Sequence, residues 1–374
     1  MKLNILFINS VQMYGGGEVW MVTALSELKR REHRVTLVCR PDAHIIPHAR
    51  EQGIDVVPMR IRGDFDPWTI FQMAKLMRSR NIHVVLTNMD KELRISGVAA
   101  WFGGRPFVLS RRGIDAPLKN KWRYRFTYNT LADLIVANSE ATKNTLLANA
   151  PWLEPDRIAV IYNGIESDWF QKHRTRDLRR SLQIPDHAAI IGFVGRLNVQ
   201  KGVVHLLEAF KKVAARVENA HLLITGEGDL EPTIRAFAGT HQLAHRIHLL
   251  GFRNDAPNIM RTIDMLVLPS LWEGFGIVLI EAMAAGKPCV TTQVSSMPEI
   301  VVDGETGIVV PAKDDERLAD AMETLLRDPA MAKRLGECGK KRVDDKFTLN
   351  RMIDNYESLF FQHVVNHRKD KQRQ

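Results

Sequence analysis

Two glutamates bracket a glycine turn within residues 269–292, an arrangement that could serve phosphate and sugar chemistry. Glu273 directly precedes the Gly-Phe-Gly turn at 274–276, and Glu281 lies in the middle of the apolar helix pattern that follows. A turn that opens a helix directs unpaired backbone N–H groups outward and favours an anion such as phosphate. A buried carboxylate needs hydrogen-bond donors, which the hydroxyls of a ribose would supply to Glu281. Taken alone, the segment is equally compatible with an ordinary turn and an exposed glutamate.

Two other loops combine glycines or basic side chains with a strand-to-helix pattern. Arg196 and Lys201 follow the predicted strand 189–194, where an arginine can bind phosphate oxygens as a fork and a lysine as a point charge. Three glycines at 15–17 follow the first predicted strand and open a helix. Because these glycines are consecutive and Arg40, not an acidic residue, follows the second strand, the loop does not fit a dinucleotide-binding motif. We therefore do not expect NAD.

The composition is that of an ordinary globular protein. The 374 residues are 45% hydrophobic and 25% charged, which suffices for two domains. No apolar run approaches the roughly 20 residues that cross a bilayer, and the N-terminus resembles a first strand rather than a signal peptide. We expect a cytoplasmic protein. Cys39, Cys289 and Cys338 form no CxxC pair and are predicted to be buried and inert.

The positive charge is concentrated in the N-terminal half. Residues 1–165 hold 23 Lys and Arg against 15 Asp and Glu, although the whole chain has a net charge of only +9. Such a bias is typical of proteins that bind an anionic membrane, an anionic substrate or nucleic acid. No nucleic-acid-binding motif accompanies it, so we expect no nucleic acid partner. The basic and aromatic run 119–131 suits the inner face of the cell membrane, and it is equally compatible with a helix that has one solvated basic face.

Strand and helix patterns alternate along the whole chain, which predicts an α/β protein with two doubly wound parallel sheets. The predicted strands lie at 3–9, 34–39, 55–59, 83–87, 106–110, 134–137, 158–161, 189–194, 221–225, 247–250, 265–268 and 308–310. Helices are predicted, among others, at 96–102 and 349–365. We place an N-terminal domain at 1–167, a C-terminal domain at 168–345, and a last helix with a frayed tail at 346–374.

The Asp-Phe-Asp triplet at 64–66 has the composition of a metal-binding motif. It precedes a helix pattern instead of following a strand, so it is interpreted as a helix cap. We predict no metal site.

Five sequence blocks closely resemble the retaining nucleotide-sugar glycosyltransferases of the GT-B type, the glycosyl transferases group 1. They are GFVGRLNVQKG, ITGEGDL, LLGFRND, LPSLWEGFGIVLIEAMAAGKPCVTT and MPEIVVDGETGIVVP. The resemblance is densest over residues 190–311, and the N-terminal half shares INSVQMYGGGE, LADLIVANSEATK and VIYNGIE. It implies two Rossmann-like domains that face each other across a cleft, with the last helix crossing back to the first domain.

The resemblance also implies roles for individual residues. Arg196 and Lys201 would hold the diphosphate without a metal, Glu273 would face the sugar, and Glu281 would bind the ribose. The nucleobase would contact mainly backbone, so a UDP-, GDP- or ADP-sugar is equally expected. No cofactor is implied. The implied donor-binding residues are Gly15, Gly16, Gly17, Arg196, Lys201, Gly226, Glu227, Phe252, Arg253, Glu273, Gly274, Phe275, Gly276, Ile277 and Glu281.

Two positions depart from the pattern of the family. Arg112 stands where many relatives have a histidine, and serines at 295 and 296 stand where glycines usually precede a Pro-Glu pair. A permanent cation cannot carry a proton, so Arg111 and Arg112, with Asn88, are predicted to bind donor phosphate or the acceptor. The alternative for Arg112 is an ion pair with Asp115 or Glu92.

The resulting prediction is a retaining glycosyltransferase with Glu273, Arg196, Lys201 and Arg112 as catalytic residues. It would move a sugar from a nucleotide-diphosphate sugar to a hydroxyl of a glycan or lipid-linked acceptor, in cell-envelope polysaccharide or lipopolysaccharide biosynthesis. Two alternatives stay open: a nucleotide-sugar 2-epimerase of the same architecture, and a non-catalytic nucleotide-sugar-binding protein.

Overall fold

The computed structural model describes residues 1–166 and 178–373, and in the last helix it describes side chains as far as Val364. The chain divides into two compact units. Unit 1 comprises Met1–Tyr162 and Asn350–Gln374, and unit 2 comprises Asn163–Leu349. The domain boundary predicted at 167/168 lies outside the described residues, and the one predicted at 345/346 precedes the observed division by a few residues.

Unit 1 contains a seven-stranded parallel sheet with the strand order β3-β2-β1-β4-β5-β6-β7. The elements of this part, in chain order, are β1 (Asn4–Asn9), α1 (Gly16–Arg30), β2 (Arg34–Cys39), α2 (Ile45–Glu51), β3 (Asp55–Pro58), α3 (Pro67–Ser79), β4 (Val84–Thr87), α4 (Asp90–Phe102), β5 (Phe107–Arg112), α5 (Trp122–Phe126), a π-helical turn (Thr127–Leu131), β6 (Leu134–Ala137), α6 (Glu140–Asn149), a 3-10 turn (Pro155–Arg157) and β7 (Ile158–Val160).

Unit 2 contains a six-stranded parallel sheet with the strand order β10-β9-β8-β11-β12-β13. Its described elements are α7 (Leu178–Ser181), β8 (Ala189–Val194), a 3-10 turn (Val199–Lys201), α8 (Val203–Arg216), β9 (Ala220–Thr225), α9 (Glu231–Thr240), β10 (Ile247–Leu249), α10 (Ala256–Thr262), β11 (Met265–Leu268), α11 (Ile277–Ala284), β12 (Cys289–Thr292), α12 (Met297–Ile300), β13 (Gly307–Val310), α13 (Asp315–Arg327) and α14 (Pro329–Lys346). The last helix, α15 (Leu349–Arg373), belongs to unit 1 from Asn350 onward.

The central strands of both sheets are apolar and have helices on both faces. Every residue of β4, β6 and β11 is buried, which is the burial typical of parallel sheets in doubly wound folds. In unit 1 the α15 helix packs against α1: the Trp20 indole N–H donates to the Met352 sulfur at 3.1 Å, and the Trp20 and Tyr356 rings are 5.7 Å apart. The helix continues to Arg373, beyond the end predicted at residue 365.

Two elements of unit 1 are longer than predicted. The helix predicted at 96–102 begins at Asp90, because Glu92 accepts hydrogen bonds from the N–H groups of Asn88 and Met89 at 2.8 and 3.0 Å and so satisfies the first turn. The strand predicted to end at residue 110 continues to Arg112, where it pairs with Ala137 of β6.

Parallel strands bring the loops of unit 2 to one edge of its sheet. The strand order reverses between β8 and β11, and doubly wound sheets bind ligands at the carboxyl ends of the strands beside such a reversal. Two glycines with positive φ pack the loops there against one another. A Cβ at Gly202 would lie 1.9 Å from the Pro269 carbonyl oxygen, and one at Gly226 would lie 1.9 Å from that of Gly195.

Candidate active site

An ion pair between Lys201 and Glu273 forms the centre of the candidate site in unit 2. Glu273 follows β11, and Lys201 is the last residue of the 3-10 turn. Asn198, which precedes this turn, accepts a hydrogen bond from the Lys201 N–H through its side-chain oxygen at 3.2 Å. The Ser270 hydroxyl lies 3.4 Å from Glu273 Oε2. Glu273 is only 8% exposed, so the two predicted catalytic residues contact each other in a largely desolvated place.

The two backbone segments that carry this pair, residues 196–202 and 269–276, are hydrogen-bonded to each other. The Leu271 N–H donates to the Gln200 carbonyl at 2.8 Å, and the Gln200 side-chain amide donates to the Trp272 carbonyl at 3.1 Å. The geometry of the ion pair is therefore fixed by backbone contacts as well as by charge.

The predicted glycine turn at 274–276 leads directly into α11. The N-terminus of α11 lies at the carboxyl edge of the sheet, so the positive end of the helix dipole is next to Glu273. A Cβ at Gly276 would lie 3.0 Å from a Leu279 side-chain carbon and 3.1 Å from Met297 Sδ, so a larger residue would require these two side chains to shift. The helix N-terminus and Lys201 are the positive groups beside this turn, and the anion site predicted there stays a prediction.

Glu281 is the carboxylate that was predicted to bind the ribose. It lies half-buried in α11, and no other described residue forms a hydrogen bond or ion pair with its side chain. Burial raises the pKa of Glu281 to about 7. A desolvated carboxylate without donors is unfavourable for the empty protein, and a ligand with hydroxyl donors would relieve it.

The other predicted donor residues of unit 2 surround the same edge. Arg196 is exposed and forms no ion pair among the residues described by the structure, so its charge is available to a ligand. Glu227 is exposed, and its carbonyl accepts from the Leu197 N–H at 2.9 Å. Phe252 is 72% exposed. Arg253 instead binds Asp255 through two bonds of 2.8 and 2.6 Å, which lower the pKa of the Asp255 carboxyl.

In unit 1 the glycine loop opens α1 as predicted. The Gly15 carbonyl accepts from the Glu18 and Val19 N–H groups at 3.1 and 2.9 Å, and the Gly15 N–H donates to the Glu18 carboxylate at 3.0 Å. A Cβ at Gly16 or Gly17 would meet nothing within 4 Å among the described residues. Packing within the described chain therefore does not require these two glycines, and their predicted role toward a ligand stays a prediction.

Arg112 forms an ion pair, but with a partner that the sequence analysis did not name. Its Nη1 lies 3.1 Å from Asp90 Oδ1 and 3.0 Å from the Tyr128 hydroxyl. The expected partners Asp115 and Glu92 were wrong, because the first turn of α4 brings Asp90 to the end of β5. The predicted ligand role of Arg112 stays a prediction.

Arg111 is buried within unit 1. Its guanidinium carbon lies 3.7 Å from the centre of the Trp20 ring, and Tyr356 of α15 is its hydrogen-bond partner. Burial lowers the pKa of Arg111 and raises the pKa of Tyr356 to about 12. These contacts join β5, α1 and α15, which is a structural function that the sequence did not predict for this residue.

Glu92 and Asn88 belong to a polar junction between β1 and β4. The Glu92 carboxylate accepts from the Ser10 N–H at 2.6 Å and from the Ser10 hydroxyl at 2.9 Å, besides its bonds to the start of α4. Burial raises the pKa of Glu92 to about 7. Asn88 Oδ1 is buried and has no hydrogen-bond partner among the described residues, and its predicted ligand role stays a prediction.

The predicted helix cap at residues 64–66 is confirmed for Asp66, whose carboxylate accepts from the Thr69 N–H at 3.1 Å. Asp64 pairs with Arg94 at 2.7 Å and with Arg123. Within residues 1–166 and 178–373, no group of three His, Cys, Asp or Glu side chains is arranged to hold a metal.

The predictions for the cysteines were partly wrong. Cys39 and Cys289 are buried as predicted, whereas Cys338 is exposed on α14. In the part of the chain that the structure describes, no helix has the length and apolarity to cross a membrane.

Comparison with known proteins identifies the family. Residues 174–342 match the family described as glycosyl transferases group 1, and residues 14–169 match the one described as glycosyltransferase family 4. The chain belongs to the glycosyl transferases group 1. The predicted fold class of two doubly wound Rossmann-like domains is confirmed by the two parallel sheets.

Three similar proteins illustrate how far this likeness extends. An uncharacterized glycosyltransferase of Methanocaldococcus jannaschii is 32% identical over 63% of this chain and 60% of its own length, so the alignment spans less than two thirds of that relative. A UDP-Gal:alpha-D-GlcNAc-diphosphoundecaprenol alpha-1,3-galactosyltransferase of Escherichia coli is 24% identical over 98% of both chains. The structure of Anabaena HepE in complex with UDP and glucose has a TM-score of 0.80 at 20% identity, with 96% of this chain and 99% of that chain covered.

Proposed function

We propose that this group 1 glycosyltransferase is a retaining enzyme that moves a sugar from a nucleoside diphosphate sugar to a hydroxyl acceptor. The observation that carries the proposal is the Lys201–Glu273 ion pair beside the N-terminus of α11. In the transfer, the bond between the anomeric carbon and the diphosphate oxygen breaks. The acceptor oxygen bonds to the same face of that carbon, and its hydroxyl proton passes to the departing diphosphate.

Negative charge develops on the diphosphate as it leaves, and fixed cations and N–H groups stabilise such charge best where water is excluded. Lys201 is already held in place by Glu273, and exposed Arg196 can reach a phosphate from the same loop. Glu273 would then face the sugar, and Glu281 the ribose. For Arg112 we propose a role on the acceptor side, with its orientation set by Asp90.

The nucleobase is proposed to be uracil, guanine or adenine. HepE, whose fold is similar, was solved with UDP and glucose, which supports a nucleoside diphosphate sugar as the class of donor. Around the proposed base position, Phe252 supplies an exposed ring, while the Arg253 side chain is engaged by Asp255. Neither feature selects one base.

We propose that catalysis needs no metal ion, because Lys201 and Arg196 supply the positive charge. The rate of donor turnover should therefore change by less than about a factor of two after dialysis against EDTA. The measurement is the release of nucleoside diphosphate with and without EDTA, and with Mg²⁺ or Mn²⁺ added back. Loss of activity in EDTA that Mn²⁺ restores would show that a metal carries part of this charge.

The acceptor is proposed to be lipid-linked, in the synthesis of a cell-envelope polysaccharide or lipopolysaccharide. The name of the E. coli relative describes an acceptor attached to diphosphoundecaprenol, which supports this class. An enzyme with such an acceptor works at a membrane surface, so we propose peripheral binding to the cytoplasmic face of the membrane.

An aromatic and basic surface of unit 1 fits such a membrane. Asp64 pairs with Arg123, which brings the loop before α3 next to α5. The exposed side chains of this surface are Phe65, Trp68, Phe71, Lys121, Trp122 and Arg125, with Trp122 77% exposed. Amphipathic rings and cations suit the interface of an anionic bilayer. Arg123 pairs with Asp64, which also pairs with Arg94, so we count only Lys121 and Arg125 as the cations of this surface.

Replacing both Lys121 and Arg125 with alanine should weaken binding to vesicles that contain anionic lipid by about 30-fold, because each cation near such a surface contributes about 1 kcal/mol. The measurement is co-sedimentation with vesicles of mixed phosphatidylglycerol and phosphatidylcholine at low and high salt. The double variant Lys340→Ala with Lys341→Ala removes the same charge from α14 and should bind normally. Salt-insensitive binding, or none by the unaltered protein, would contradict the proposal.

The proposed activity is tested by product analysis with UDP-, GDP- and ADP-sugars and lipid-linked acceptors. We expect a new glycoside with the anomeric configuration of the donor. Formation of an epimer from the donor alone would indicate a 2-epimerase instead. Donor binding without turnover on any acceptor would indicate a non-catalytic binding protein.

A further inference from the structure

Four hydroxyl side chains at the end of β12 and in the turn after it bind the backbone of the segment that carries Glu273. Their order along the chain is the order of the backbone groups that they bind. The bonds are Thr291 Oγ1 to the Leu268 carbonyl (2.9 Å), Thr292 Oγ1 to the Ser270 carbonyl (2.5 Å), the Glu273 N–H to Ser295 Oγ (3.3 Å) and Ser296 Oγ to the Gly274 carbonyl (3.2 Å). The segment is thus held from the end of β11 to the glycine turn.

The last two bonds fix two peptide planes beside the ion pair. The plane between Trp272 and Glu273 is held at both ends, because its carbonyl accepts from Gln200 and its N–H donates to Ser295. The Ser296 hydroxyl donates to the Gly274 carbonyl and so holds the peptide plane between Gly274 and Phe275. Because this peptide bond is trans, its N–H points in the direction opposite to the carbonyl. Ser296 therefore fixes the orientation of this peptide plane.

Ser295 adopts a backbone conformation that favours glycine. Its φ is 45°, in the left-handed region that non-glycine residues seldom adopt, so the backbone alone would be less strained with glycine here. Strained residues persist where the surrounding structure holds them, and they cluster at functional sites. The side chain of Ser295 supplies an oxygen to the Glu273 N–H, which a glycine could not do.

We propose that Ser295 and Ser296 are positioning residues for the donor sugar, acting through the Glu273 peptide and the glycine turn. They keep the Glu273 carboxylate against Lys201 and fix the orientation of two peptide planes of the turn. The inference rests on the proposed function for the identity of the ligand. The positioning itself concerns the empty protein and can be tested without a ligand.

The first test is backbone hydrogen exchange of the empty protein, with Ser295→Ala and Ser295→Gly compared. Both variants remove the oxygen, so the Glu273 amide should exchange about 10-fold faster in both. Ser295→Gly also relieves the backbone strain, so it should melt several degrees above Ser295→Ala. The control Thr324→Ala removes a hydroxyl from α13 and should leave the Glu273 amide unchanged. Unchanged exchange in both Ser295 variants would overturn the proposal.

The second test is calorimetric binding of UDP-, GDP- and ADP-glucose and of the corresponding diphosphates. Loss of one neutral hydrogen bond should weaken the best nucleotide sugar about 3- to 10-fold in Ser295→Ala, Ser295→Gly and Ser296→Ala, with a smaller effect on the diphosphate alone. If the more stable Ser295→Gly binds the nucleotide sugar normally and the less stable Ser295→Ala binds it weakly, affinity depends only on stability. Ser295 then has a purely structural role, and the proposal is overturned. If the unaltered protein binds no nucleotide sugar, the proposed function fails, while amide exchange still decides the positioning.

Discussion

Replacing Lys201 with alanine should lower the turnover of the donor about 10²- to 10³-fold while the fold survives. Lys201 is the cation that the structure holds in place at the start of α11, so its loss removes charge stabilisation that develops when the diphosphate departs. Arg196→Ala should cost a similar factor. Because Arg196 is exposed and forms no ion pair among the described residues, its removal should leave the melting temperature unchanged.

The measurement is kcat for nucleoside diphosphate release, with the folded fraction of each variant determined by circular dichroism. Lys211→Ala serves as the matched control, because this lysine lies on α8 and its described contacts, with the Glu208 carboxylate and the Phe237 ring, do not involve the candidate site. Near-normal turnover in both Lys201→Ala and Arg196→Ala would contradict the proposed charge stabilisation.

Replacing Glu281 with glutamine should stabilise the empty protein and weaken nucleotide binding. The folded-state pKa of Glu281 is about 7, above the ordinary value of about 4.3 for a free glutamate. The folded protein therefore binds the proton more tightly than the unfolded chain does, and this group costs stability as the pH rises from about 4 to 7. Glu281→Gln removes the cost, so we expect a gain of about 1–3 kcal/mol in the free energy of unfolding at pH 8 and none at pH 4.

The same substitution should weaken the binding of the nucleoside diphosphate about 10- to 100-fold at pH 8, the range for a hydrogen bond to a charged group. Hydroxyl donors favour the ionised carboxylate, so binding to the unaltered protein should tighten between pH 6 and pH 8. Glu281→Gln should reduce that dependence to the part that comes from the terminal phosphate of the ligand, whose second ionisation lies at about pH 6. The measurements are urea unfolding and calorimetric titration across this pH range.

Glu305→Gln, in an exposed loop, is the control for the loss of a carboxylate. If Glu281→Gln binds the nucleoside diphosphate as tightly as the unaltered protein does, Glu281 is an ordinary helix residue. This conclusion would hold even if the substitution stabilised the protein. Loss of affinity together with loss of stability would instead indicate that the substitution disturbs α11.

Much of the fold could be predicted from sequence because parallel strands buried on both faces are continuous apolar runs. Met265–Leu268 and Leu134–Ala137 were predicted at their observed bounds for this reason. β12 was not predicted as a strand, because its four residues form too short a run to show a strand pattern, although threonine favours strands. The start of α4 was missed since it depends on the Glu92 carboxylate bonding the backbone before it, which leaves no periodic pattern.

The parts of the candidate site that lie within a single loop could be predicted from the sequence. Lys201, Glu273 and the glycine turn could be proposed from the sequence because loops at strand ends have recognisable composition, and the structure brings Lys201 and Glu273 into contact. Ion-pair and hydrogen-bond partners that come from distant parts of the chain could not be predicted. Asp90 was missed as the partner of Arg112, because only the folded chain brings the start of α4 to the end of β5. The serines at 295 and 296 were noticed only as a departure from glycine, and their bonds to the Glu273 turn became visible in the structure.

The measurement that tests the central claim most directly is calorimetric titration of UDP-, GDP- and ADP-sugars into the unaltered protein and into Lys201→Ala. We expect that unit 2 binds the diphosphate of a sugar donor at the Lys201–Glu273 pair, so one of these nucleotide sugars should bind the unaltered protein. The same nucleotide sugar should bind Lys201→Ala at least about 10-fold more weakly, because one hydrogen bond between charged groups is lost. Equal affinity of the two proteins for that nucleotide sugar, or no binding by the unaltered protein, would contradict the assignment of the site.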